Sequence, residues 1–73
     1  MRVSQLLKAM DKDDMIVIDD YDKPVDDMTI YDGTVRGIKR DNPVNKMHVA
    51  SICANNDKIL VLAEDPKKRA NSK

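Results

Sequence analysis

"MTIYDGTVRGI", residues Met28 to Ile38, decides the fold, because Asp32-Gly33 at its centre admits two readings. Asp-Gly is a strong signal for a type I′ turn, which would break the stretch into a tight hairpin of two stubs. Alternatively, one long strand runs from 28 to 38, Gly33 marks a bulge or bend in it, and the hairpin turn falls earlier, at residues 20–27. The second is favoured. It pairs a strand at Met15–Asp19 with Thr29–Val35 through a single loop and needs no stubs.

Working outward, Met15-Ile16-Val17-Ile18 is compact, β-branched and apolar on both faces, which predicts a strand interior to a sheet or covered on both sides. Upstream, Val3, Leu6, Leu7 and Met10 recur at helical spacing and predict a short helix from about Ser4 to Met10, with Ser4 as N-cap and no capping box. So short a helix must dock its apolar stripe to persist. Asp11-Lys12-Asp13-Asp14 ends it. Downstream, KRDNPVNK (39–46) reads as a polar loop centred on Asn42-Pro43, and Met47–Ala54 as a third strand. Asn55-Asn56-Asp57 is a turn needing an Asn in the left-handed conformation, and Lys58–Ala63 is a fourth strand. EDPKKRANSK has no apolar content beyond Ala70 and reads as a flexible basic tail.

The fold class expected is therefore α+β, a short N-terminal helix packed on a roughly four-stranded antiparallel sheet. A single small domain covers residues 1–64 and a disordered basic tail covers 65–73.

Seventy-three residues without Trp or Phe must build their core from Val, Ile, Leu and Met. Each such side chain contributes about 1.5–3 kcal/mol when fully buried. The thin margin of a small domain leaves little energy for an elaborate buried active site, and self-association is one way to gain burial. The lone cysteine, Cys53, lies in an apolar run and reads as a small core residue; a single cysteine allows no internal disulfide, which points to the cytoplasm. The opening apolar stretch is too short and interrupted for a signal peptide or a membrane span. Net charge is zero but segregated. Residues 1–32 hold nine aspartates against four Lys or Arg, a balance of −5, and residues 33–73 carry the compensating +5. If these halves form separate faces, head-to-tail association becomes electrostatically plausible.

The aspartates between Asp11 and Asp27 invite a calcium reading, and its spacing fails. From Asp20 the alternation gives Asp22 but then Pro24, with Val25 where glycine is needed; from Asp11 it gives Asp13 but then Met15. Solvated Asx turns account for them better, and no metal site or cofactor is expected. The loop residues Asp20, Tyr21, Asp22, Asp26 and Asp27 are the candidate contact loop, with Tyr21 as its one bulky anchor. Arg36, Lys39, Arg40 and Lys46 form a candidate basic patch, extended by Lys67-Lys68-Arg69, but no helix-turn-helix, zinc spacing or aromatic platform accompanies them. His48 could serve a nucleophile only at Ser51 or Cys53, and strict alternation along one strand places both on the opposite face from it. Two glycines make no phosphate-cradling loop. No enzyme is expected.

Ser4, Leu6 and Leu7, then Ile16, Ile18 and Asp19, then Ile30, Gly33, Val35 and Ile38 make an S-x-L-L helix, an acidic break, a V-x-I-x-D strand and a D-G strand in succession. In this the first half of the chain resembles a class of small, largely uncharacterised proteins encoded by bacteriophages and mobile elements of Gram-positive bacteria. The resemblance implies an origin and a fold, and carries over no catalytic or ligand-binding residues. The expectation is a non-enzymatic accessory protein acting through protein–protein contacts, with a homo-oligomer among its possible forms and no membrane attachment. The alternatives are an acidic-face inhibitor that mimics DNA towards a nucleic-acid-handling host protein, and a weak nucleic-acid binder acting through the basic half.

Overall fold

Asp32-Gly33 does not turn, because both residues pair with the strand Met15–Asp20. In the computed structural model, which describes residues 1–65, strand β2 (Thr29–Thr34) runs straight through the pair. It lies antiparallel to β1 (Met15–Asp20), with Ile16 opposite Gly33 and Ile18 opposite Tyr31. Neither glycine has a positive φ, so left-handed freedom is not why they are there. Space is. The Tyr31 hydroxyl donates to the Thr34 carbonyl at 2.6 Å, and a methyl at Gly33 would stand 3.0 Å from that hydroxyl oxygen. A methyl at Gly37 would overlap the same oxygen. The one irregularity in the β1–β2 pair falls between Ile18 and Asp19, where Ile30 is the extra residue, and not at Gly33. The strand also stops short of Ile38. A single 3-10 turn, Val35–Gly37, follows it, because the Val35 and Arg36 amides donate to the Asp14 and Lys12 carbonyls and draw the chain beneath the start of β1.

The second hairpin joins β3 (His48–Asn55) to β4 (Lys58–Glu64), and Asn56 turns it at φ 55°. The sheet order is β2-β1-β4-β3. Each hairpin is antiparallel, but β1 and β4 run parallel, from Met15 beside Lys58 to Asp20 beside Ala63. The sheet is thus mixed, and the expectation of a wholly antiparallel one is corrected. Its cause lies in the segment 35–47, which carries the chain from one edge of the sheet to the other. β3 then enters in the same direction as β2, and β4 returns alongside β1. The two central strands are the two with apolar side chains on both faces.

Helix α1 spans Val3–Ala9, with Arg2 rather than Ser4 at its N-cap. Gln5 Oε1 accepts from the Arg2 amide at 2.8 Å, the reverse half of a capping box, while Ser4 lies inside the first turn. Val3, fully buried, heads the apolar stripe, and Leu6, Leu7 and Met10 pack on the core. The polar loop expected at 39–46 holds a 3-10 turn, Pro43–Lys46, whose Asn42 side chain accepts from the Val44 amide at 3.0 Å and whose Val44 is buried. Ile16, Ile18, Val61 and Ala63 meet Val3, Val35 and Val44 in one aliphatic core on this face. On the opposite face Met15, Val17, Leu60 and Leu62 are half-buried and carry no covering layer among the described residues. The basic tail expected at 65–73 lies, beyond Asp65, outside the described residues.

Candidate functional site

The contact-loop residues converge at the end of the sheet where β1 finishes. Asp20 Oδ1 accepts from the Asp22 amide at 2.9 Å, the Asx turn expected there, and the Lys23 amide donates to the Asp20 carbonyl. The loop is then tied to both neighbours: the Asp20 amide reaches Met28 at 2.7 Å and the Tyr21 amide reaches Ala63 at 2.8 Å. A 3-10 turn at Val25–Asp27 closes it. Asp20 is half-buried, whereas Asp22, Asp26 and Asp27 are exposed. Tyr21 is 53% exposed, and Val25, which sequence reasoning passed over, is 82% exposed among these carboxylates. The anchoring is local and backbone-made, so the loop presents its apolar tips without needing to be ordered by a partner.

Two residues of the basic patch line a groove. Arg36 and Arg40 line an open groove of about 710 Å³, whereas Lys39 and Lys46 do not. Lys8 and Lys12, from the last turn of α1 and the residues after it, complete a rim of four cations over a floor of Leu7, Val35 and Ile38. Asn45 Nδ2 donates to the carbonyls of Lys39 (2.8 Å) and Asn42 (3.2 Å), which fixes the turn bearing Arg40. Arg36 also meets Asp13 at 3.1 Å, in a pair so exposed that water and salt screen most of its attraction. Lys12 lies beyond the end of α1, so its four-residue spacing from Lys8 is no helical-face signal and nothing local in the sequence announces the rim. Their convergence with Arg36 and Arg40 depends on how segment 35–47 crosses the sheet.

His48, Ser51 and Cys53 correct a second expectation. They pair with Glu64, Leu62 and Leu60 in turn, so all three lie on one face, because an irregularity between Val49 and Ser51 leaves Ala50 extra and reverses the alternation. Sharing a face does not make a catalytic pair. Two residues of strand, about 7 Å, separate His48 from the register position of Ser51, and as much again separates Ser51 from Cys53. Cys53 is exposed on an edge strand and is no core residue. Among the described residues no three His, Cys, Asp or Glu side chains converge to hold a metal ion. No described helix is long and apolar enough to cross a membrane.

No family model, curated protein or solved structure matches the chain.

Proposed function

We propose that the chain is a non-enzymatic accessory protein of bacteriophage or mobile-element origin, acting in the cytoplasm through protein–protein contacts made by the loop Asp20–Asp27. The observation that carries this is Val25, 82% exposed, beside half-exposed Tyr21 on a loop pinned at both ends by backbone hydrogen bonds. Apolar tips held rigidly among carboxylates fit a contact with a partner that offers an apolar hollow and basic surroundings, because little conformational freedom is lost on binding. Capture from extracts of a Gram-positive host, with wild-type chain and with Tyr21→Ser/Val25→Ser as paired baits, tests it. The expected result is a partner held by the wild type and lost by the variant at unchanged stability. A captured protein indifferent to both substitutions refutes the assignment to this loop.

A second reading rests on the same end of the sheet, where Asp19, Asp20, Asp22, Asp26 and Asp27 are joined by Glu64 and Asp65 at the close of β4. Such an acidic pole suits a DNA mimic directed at a nucleic-acid-handling protein. It differs in its salt response: mimicry requires binding that falls steeply with ionic strength and is displaced by duplex DNA, whereas apolar docking tolerates both.

A further inference from the structure

We infer that the groove lined by Lys8, Lys12, Arg36 and Arg40 receives the Asp20–Asp27 loop of a second copy of this chain, so that copies associate head to tail. This rests on the loop being a contact surface, as proposed above, and names its partner. The complementarity has two parts. The groove sets four cations around an apolar floor of Leu7, Val35 and Ile38, and the loop sets Asp22, Asp26 and Asp27 around the exposed tips Tyr21 and Val25. The two surfaces also lie at opposite ends of the molecule. The groove sits where β1 begins, since the Arg36 amide bonds to Lys12 and the Val35 amide to Asp14, and the loop sits where β1 ends. About 20 Å of strand separates them, so one copy engages two neighbours without conflict.

The attraction is local, not a matter of net charge. Asp11, Asp13 and Asp14 share the groove's end of the molecule, and Asp13 already meets Arg36. The incoming carboxylates therefore exchange with Asp13 for an exposed partner that binds weakly. A groove of this size admits a few side chains and no more, which places the contact among the weak, small interfaces. A head-to-tail contact between unlike surfaces leaves a groove and a loop unfilled at the two ends of each open assembly, so assembly grows with concentration until it closes into a ring or continues as a filament.

Sedimentation equilibrium of the whole chain up to about 1 mM, where a contact of only ~4 kcal/mol populates the complex, is the first measurement. Average mass should rise past the dimer, and the association constant should fall about tenfold as salt shortens the screening length. The second uses charge reversal at exposed positions. Arg36→Glu/Arg40→Glu and Asp22→Lys/Asp26→Lys should each sediment as monomers, and mixing the two should restore association. Asp13→Ala, which releases Arg36, should strengthen wild-type association by up to about fivefold. Three results overturn the inference: a wild type that stays monomeric, a mixture that stays monomeric, or a mass that levels at the dimer, which marks a two-fold contact such as pairing of β3 edges. Should the chain be monomeric while Tyr21→Ser/Val25→Ser still abolishes capture of a host protein, this inference falls and the contact-loop reading stands.

Discussion

Replacing Gly37 with alanine tests why the glycine is there. Its backbone φ is not positive, so alanine meets no conformational barrier, and reduced freedom of the unfolded chain alone would favour it by about 0.4–1 kcal/mol. Against that, the new methyl overlaps the Tyr31 hydroxyl oxygen and drives the ring off its site. Overpacking of this kind costs about 1–3 kcal/mol, and losing the Tyr31–Thr34 hydrogen bond adds about 0.5–1.5. The expected net loss is about 2 kcal/mol, or ~8–16 °C in Tm for a domain of this size. In a Tyr31→Phe background the obstructing atom is gone. The methyl then faces the ring carbon Cζ at 3.5 Å, an ordinary contact, and Gly37→Ala should become neutral or stabilising. Urea denaturation followed by far-UV circular dichroism on the four chains of this double-mutant cycle gives the coupling, expected at about 2–3 kcal/mol. If Gly37→Ala costs the same in both backgrounds to within ~0.5 kcal/mol, the steric account of Gly37 is wrong.

Further outcomes follow from burial and backbone. Ile18→Ala, at a fully buried position, should lose about 2–5 kcal/mol, whereas Ile52→Ala, at a position 49% exposed, should lose under ~1 by the same denaturation measurement. Asn56→Gly should keep or raise the urea midpoint, and Asn56→Val should lower stability by about 1–2 kcal/mol, because φ 55° at this turn penalises a β-branched side chain. Arg36→Gln and Lys58→Met each break an exposed ion pair, with Asp13 and Asp32 respectively, and should shift stability by less than ~1 kcal/mol.

Local signals were legible in the sequence and non-local ones were not. The Met15–Ile18 run, the turn at Asn56, the hairpin it closes and the helical stripe headed by Val3 each declare themselves within a dozen residues, and each is present. Asp32-Gly33 carries a local turn signal that pairing with β1 overrides, since Asp32 and Gly33 lie opposite Val17 and Ile16. Strict alternation along β3 gave the wrong face for Ser51 and Cys53 because nothing in Val49-Ala50-Ser51 announces an extra residue. The parallel junction of β1 with β4 has no local trace either, although the apolar character of both strands does assign them to the centre. The loop residues chosen from sequence do come together. Of the basic patch, Arg36 and Arg40 line one groove with Lys8 and Lys12, a convergence set by the path of the chain and not by its spacing.

That parallel junction has a consequence for how the molecule is made. Each hairpin closes over a short loop, but Met15 meets Lys58 more than forty residues later, and bringing such distant segments together carries an entropic penalty of ~3 kcal/mol before any contact repays it. Zipping the halves is therefore the slow step: substitutions in the β1–β4 seam should retard refolding, while those confined to the outer strands should chiefly hasten unfolding.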